Sequence, residues 1–346
     1  MQRRTRQQLR ISLLIIGIAA SLGAVFGLAI AGAGDGDGET RAYARAALRG
    51  VWTGGLIAGL LTAWEYTYVN RAAGLWVRRL NFLGNVGVRS LIYLAAIMLS
   101  IWSGATVFSI EGADPFGWNA QTVIQVGFSV LFSIGVNFAM AINGLLGQAV
   151  FLNFLTGRYH RPVVENRVLL FADVVGSTAI AERIGDLGFH RFLNDVYRDL
   201  SAPVIELGGV IHKYVGDEII VSWPDTAAGR SRALQCGIEF HALLAAAEAR
   251  YKDIHGAVPA LRIGIHAGPV VIGEMGDVRQ EIVFLGDAMN TASRLVDMCR
   301  TLGRPLLVSE ALHDAGASED GSALEPMGET GVRGKTRPVA VYAPAP

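Results

Sequence analysis

Cysteine is nearly absent from this chain, with only Cys236 and Cys299 among 346 residues. Two thiols build neither a disulfide framework nor a cysteine metal cluster, so each reads as a small core residue. Lysine is missing altogether from residues 1–161, where 13 arginines face 6 acids, a charge of +7. Residues 162–346 carry 17 basic and 24 acidic side chains, or −7, so the formal net charge of zero conceals two environments. Neither part has the basic, aromatic-interleaved composition of a nucleic-acid surface, which argues against a nucleic-acid partner. Charge of either sign is also missing from long apolar runs, all in the first part, and these raise the mean hydropathy to +0.38.

Four of those runs are long enough to span a bilayer as helices. They lie near residues 11–34, 50–70, 90–110 and 122–146, and Glu65 is the one charge within them. A cleaved leader fits the first run poorly, because three further spans follow it. Glu65 reads as an interfacial or helix-packing residue, since no cluster of ionisable groups marks an ion pathway. Arginines precede the first span (Arg3, Arg4, Arg6, Arg10), fill the second connection (Arg71, Arg78, Arg79, Arg89) and follow the fourth span (Arg158, Arg161). Positive-inside logic then places both termini on the cytoplasmic side of a plasma or bacterial inner membrane, as a multi-pass protein. Residues 147–161 form a connector, with Val150, Phe151, Phe154 and Leu155 at helical spacing. That stripe suits either pairing with a second copy or lying on the membrane surface.

Residues 162–346 read as a separate cytoplasmic domain. Asn166 to Asp173 is a buried strand, and Ser177 is placed to cap a helix whose apolar stripe runs from Ile180 to Tyr197. Two strands flank the turn at Gly216, a helical region covers Ala227 to Ala249, and a strand covers Ala260 to Ala267. Another strand ends near Leu285, and Asp287 or Asn290 starts a helix carrying Arg294. Leu306 to Val308 and Val339 to Tyr342 read as further strands, with Asp314 to Gly321 a surface loop. This order predicts an α+β sandwich, a mostly antiparallel sheet covered by helices. His212 and His266 lack a third ligand and read as sheet residues, and Glu218 as a turn or supporting group. Gly264, Gly268, Gly273 and Gly276 read as sites of close backbone approach.

Two aspartates, Asp173 and Asp217, stand 44 positions apart, each where an apolar strand gives way to a turn. Paired carboxylates suit a hard divalent cation whose coordination phosphate oxygens complete. The backbone of Val174, Gly176, Ser177 and Thr178 can bring amides near phosphates. With VLLFADVVGST, GGVIHKYVGDEIIVSW and QEIVFLGDAMNTASRL in this order, the chain from about Val163 to Tyr342 resembles the class III adenylate and guanylate cyclases.

The resemblance implies a membrane-anchored adenylate cyclase, a phosphorus–oxygen lyase making cyclic AMP for signal transduction. Asp173 and Asp217, with the Val174 carbonyl, would hold two Mg²⁺ or Mn²⁺ ions per complete site. Lys213 matches the purine-contacting lysine, Asn290 the ribose-orienting asparagine and Arg294 the arginine that steadies the reacting phosphate. Arg333 or Lys335 would reach the outer phosphates. The family pattern places an aspartate or threonine beside the purine where this chain has Val283, so Glu281 or a main-chain group would have to substitute. The resemblance also implies a head-to-tail homodimer with composite sites, one protomer giving the aspartates and the other Lys213, Asn290 and Arg294. The connector and membrane helices would join the pairing, and a membrane-domain ligand is a further possible partner. GTP is the alternative substrate, and a noncatalytic receptor or scaffold with a cyclase-like dimerisation domain is the alternative function.

Overall fold

The computed structural model describes residues 2–33, 40–65, 80–108, 157–278, 280–313, 324–330 and 339–345, and positions 127, 130, 131, 134, 135 and 138. The expected fourth span (those six positions apart) and most of the connector lie outside the described residues. So do Arg71, Arg78 and Arg79, the expected loop at 314–321, and both Arg333 and Lys335. The chain divides into two compact units, Met1–Leu146 and Gly147–Pro346.

In the first unit, α1 (Gln2–Ala33), α2 (Thr40–Ala63) and α3 (Phe82–Val107) contain the stretches Ser12–Ala29, Tyr43–Ala63 and Leu83–Gly104. These three are long and apolar enough to cross a membrane. α2 and α3 begin before the apolar runs expected at 50–70 and 90–110, because they take in Arg41, Arg45, Arg49 and Arg89. A charged side chain inside a helix can be matched by a partner, as Arg89 is by Glu65, so absence of charge is too strict a guide to helix length. α1 and α2 meet where side chains are missing. A Cβ on Gly23 would overlap the Gly50 carbonyl, one on Gly50 the Gly23 carbonyl, and one on Gly54 the Ala19 carbonyl. Such small-residue contact lets backbones touch and gain dispersion energy. Leu13, Leu14, Leu22, Val25 and Phe26 remain exposed on α1. Just past α2, Glu65 accepts a hydrogen bond from the Tyr93 hydroxyl at 2.9 Å and pairs with Arg89 at 3.3 Å. It is a helix-packing carboxylate.

The second unit is built on a mixed sheet. Its strands are β1 (Val163–Val174), β2 (Val210–Val215), β3 (Glu218–Pro224), β4 (Leu261–Met275), β5 (Glu281–Leu285), β6 (Leu306–Ser309), β7 (Leu324–Thr330) and β8 (Val339–Pro344). The order is β2-β3-β1-β4-β6-β8-β7, with β5 also on β4, and every pairing is antiparallel except β4 with β6. β1 is apolar on consecutive positions because both its faces are buried. Val168, Leu170 and Ala172 enter one core with Phe192, Val196 and Leu200 of α5 (Asp186–Glu206) and Leu234 and Phe240 of α6 (Ala227–Ala246). Leu169 and Phe171 enter another with Ala288, Ala292 and Val296 of α8 (Asp287–Leu302). Gly264 admits α8, since a Cβ there would overlap the Ala292 carbonyl. Cys236 on α6 and Cys299 on α8 are free, buried, and packed in different apolar clusters.

Several expectations change. Ser177 caps nothing: it is the first residue of α4 (Ser177–Ile184), and the cap position is Gly176 at φ 66° without a side-chain bond. The stripe from Ile180 to Tyr197 is broken between α4 and α5 at Gly185, whose φ of 74° favours glycine. The second helical region likewise divides, at Ala247, into α6 and α7 (Glu248–His255). β4 continues past Ala267 to Met275 despite Pro269. There β1 is the paired neighbour while β6 and β5 pair elsewhere along the strand, so the missing N–H is tolerated. β7 was not anticipated. It is an edge strand with a register shift between Pro326 and Gly328, which hides its alternation.

Candidate active site

The antiparallel register sets Asp173 opposite Glu218 on β3 and opposite Arg262 on β4. Residues directly opposite one another share a face, so these three side chains converge at one end of the sheet. Asp217 joins them from the β2–β3 turn, where Gly216 takes φ 62°. The Tyr197 hydroxyl braces this turn by donating to the Gly216 carbonyl at 2.9 Å. Arg262 Nη2 donates to Asp173 Oδ2 at 3.0 Å, while its Nε is buried without a hydrogen-bond partner.

The carboxylates crowd one another. Burial, then the Asp217 charge, push Asp173 up to about 6, although Arg262 pulls the other way. Burial, then Asp173, Asp217 and Asp297, push Glu218 up to about 7. A cation between the first two relieves this repulsion, and an all-oxygen donor set suits a hard ion. The donors present therefore fit Mg²⁺ or Mn²⁺. Among the described residues no group of three or more His, Cys, Asp or Glu side chains is placed to hold a metal. Main chain, water or substrate would supply the remaining ligands.

Other expected site residues stand in separate groups. Lys213 Nζ on β2 lies 2.9 Å from Glu281 Oε2 on β5, and Val283 is two residues further along β5 on the same face. Asn290 and Arg294 sit one turn apart on α8, which starts at Asp287 after Gly286, so Asn290 is in the first turn and is no cap. Among the described residues no hydrogen bond or ion pair joins Asn290 or Arg294 to Asp173 or Asp217. Val174 ends β1, and Val175 donates to the Ala260 carbonyl at 2.8 Å before Gly176, Ser177 and Thr178 open α4. His212 is a sheet residue: it contacts Ser222 Oγ at 2.6 Å, and burial pushes it down to about 3. His266 contacts Ser309 Oγ at 2.7 Å. Arg262 was missed from sequence. Its one signal is a lone charge in the apolar strand LRIGIH, and only the register shows that it meets Asp173.

Residues 161–343, more than half of the chain, match the family described as the adenylate and guanylate cyclase catalytic domain. "Adenylate cyclase 2" of Rhizobium meliloti (strain 1021) is 38% identical over 207 residues, covering 60% of this chain and 57% of that protein. Human "Retinal guanylyl cyclase 1" is 28% identical over 176 residues, 49% of this chain and 16% of that one. The chain thus spans little more than half of one relative's length and far less of the other's. A solved bacterial light-regulated adenylyl cyclase shares the fold with a TM-score of 0.57 at 18% identity, covering 66% of each chain. With its mixed, helix-covered sheet and its carboxylate pair at the strand ends, this chain belongs to the adenylate and guanylate cyclase catalytic domain family.

Proposed function

We propose that this protein is a membrane-anchored adenylate cyclase that converts ATP to 3′,5′-cyclic AMP and pyrophosphate. The observation that carries the reading is the meeting of Asp173, Asp217 and Arg262 at one sheet end, inside the family's matched segment. Asp173, Asp217 and the Val174 carbonyl would hold two Mg²⁺ or Mn²⁺ ions, which when bound would supply positive charge to the reacting phosphate. The ribose 3′ hydroxyl gives its proton to solvent and its oxygen bonds to the α-phosphorus as the bond to the β-phosphate oxygen breaks, releasing pyrophosphate. Asn290 fixes the ribose so that the attack is a positioned intramolecular event. Arg294 offers a forked set of donors to the charge that develops on the phosphate. Arg262 orients Asp173, and the Gly176–Thr178 backbone, with Arg333 or Lys335, receives the outer phosphates.

Lys213 and Glu281 read the base. A lysine donor beside a carboxylate acceptor matches the N1 and N6 edge of adenine, and equally the O6 and N1 edge of guanine. With apolar Val283 beside this pair, GTP is the second reading. A receptor or scaffold lacking catalysis fits less well, because the carboxylate crowding gives a purely structural protein no benefit. That no hydrogen bond or ion pair among the described residues joins Asn290 or Arg294 to Asp173 or Asp217 is consistent with composite sites in a head-to-tail homodimer. The three apolar helices and the arginine placement support a multi-pass anchor with both termini and the cyclase domain cytoplasmic.

The test is product analysis by mass, with ATP and GTP supplied separately to the purified full-length protein in Mg²⁺ and Mn²⁺. Cyclic AMP is expected from ATP, with a loss of at least about a hundredfold in Asp217→Asn. Cyclic GMP alone would reassign the substrate, and no cyclic product from a folded dimer would favour the scaffold. Composite sites are tested by mixing inactive Asp173→Asn and Arg294→Ala protomers. Random pairing leaves one intact site in half of the dimers, so about a quarter of the wild-type rate should return. No recovery after verified exchange would exclude sharing.

A further inference from the structure

Lys213 is poorly held by its own contacts. β2 is an edge strand, the lysine is exposed, and its ion pair with Glu281 is open to water, where such a pair fixes a long side chain only loosely. The residue before it is held far better. Ile211 pairs with Val221 and Lys213 with Ile220, so His212 is an extra residue that no β3 residue opposes. An extra residue breaks the alternation of side chains and bends the strand, which is how a β-bulge re-aims a side chain.

A polar chain across adjacent strands locks this bulge. His212 Nε2 lies 2.6 Å from Ser222 Oγ on β3, and Arg167 on β1 donates to the same oxygen from Nε at 3.2 Å and from Nη2 at 2.8 Å. Arg167 is held in turn by Glu165 at 3.8 Å. A hydroxyl has one proton and two lone pairs, so the arginine N–H groups take the lone pairs and the proton goes to the imidazole. His212 is therefore neutral, accepts at Nε2 and carries its own proton on Nδ1. Burial first, and then the Arg167 charge, disfavour its protonation. Ser222 is wholly buried, so loss of His212 or Arg167 would strand a polar atom. The imidazole also packs against Phe284 of β5, with ring centroids 3.9 Å apart. β5 pairs with β4 and not with β2, so His212 helps to join the strand of Lys213 to the strand of Glu281 and Val283 through side chains.

We propose that His212 is a positioning residue for base recognition: held by Ser222 and Arg167 and packed on Phe284, it aims Lys213 at the purine. The proposal rests on the nucleotide reading above and adds residues that act through Lys213 without touching the base. The strength of base recognition is then set partly beneath the sheet surface, by a hydrogen-bond chain that ends on β1.

The experiment is calorimetric titration of the full-length protein in detergent with Mn²⁺. The probes are the 3′-deoxy forms of ATP and GTP, which lack the attacking hydroxyl, and inorganic triphosphate, which lacks the base. Lys213→Ala should weaken the preferred deoxynucleotide about tenfold, as loss of a charge-assisted bond does, and leave triphosphate within about twofold. His212→Ala should weaken the same nucleotide about fivefold and spare triphosphate, yet add less than about twofold to Lys213→Ala in the double variant. His212→Gln, whose side-chain oxygen can accept from Ser222, should recover most of the loss. Ser222→Ala keeps the ring and removes only its hydrogen bond, so it should cost about threefold, and it decides the matter if His212→Ala does not fold. Losses that multiply in the double variant would overturn the proposal, as would equal weakening of triphosphate. Wild-type preference for a nucleotide that survives both His212→Ala and Ser222→Ala would overturn it and leave the nucleotide reading standing. Wild-type protein that binds none of the probes would overturn both.

Discussion

Where α1 meets α2, the contact consists of missing side chains, at Gly23, Gly50 and Gly54. Where β1 meets its covering helices, it consists of large ones, with Leu169, Leu170, Phe192 and Phe240 wholly buried. A lipid surround for the first unit, as proposed above, would account for the contrast. Apolar surface gains little by leaving lipid, so close backbone contact must hold membrane helices together. Apolar surface gains about 25 cal/mol per Å² by leaving water, so bulk is favoured around the sheet. Carboxylates differ in the same way between the units. Glu65 is matched by Tyr93 and Arg89, whereas Asp173, Asp217 and Glu218 press on one another. A matched carboxylate holds helices together, and a crowded pair stores an affinity for cations.

Opposite substitutions in the two units sharpen the packing contrast most. Leu170→Ala should destabilise the second unit by about 2–5 kcal/mol, read by denaturant unfolding. Gly50→Leu removes nothing and should still separate α1 from α2, read as lost cross-linking between cysteines introduced on the two helices. If Gly50→Leu is silent while Leu170→Ala is not, backbone contact does not hold the first unit together.

A smaller effect tests the crowded carboxylates. Asp173 and Glu218 hold protons more tightly when folded, at about 6 and about 7, than at their ordinary values of 3.8 and 4.5. The folded protein therefore binds more protons than the unfolded chain between roughly pH 4 and 7. Thermal stability in chelator should fall as pH rises through that window. Asp217→Asn should flatten the slope, and Mn²⁺ should oppose it more strongly at higher pH. Stability that instead rose over this window in chelator would mean that the carboxylates do not crowd.

How far sequence alone could reach follows from the range of each interaction. The turns at Asp173 and Asp217 and the helix that carries Asn290 and Arg294 were legible because each depends on nearby residues, a local matter. Arg262 beside Asp173 was not, because it depends on cross-strand register, which residues far apart in sequence decide together. The pairing of Lys213 with Glu281 was hidden for the same reason. β7 was obscured by its proline and glycine, which an edge strand tolerates, and the break at Gly185 by an apolar stripe that continues in phase across it. The three apolar helices were recognisable by apolarity but not by extent, since Arg41, Arg45, Arg49 and Arg89 belong to them.

The two buried thiols offer a built-in clock. Cys236 and Cys299 pack in different clusters, and burial pushes both thiols upward, to about 11 for Cys299. Neither reacts until its own surroundings open. The rate at which each is alkylated therefore times the breathing of its own cluster, and the first 161 residues, having no cysteine, add no background.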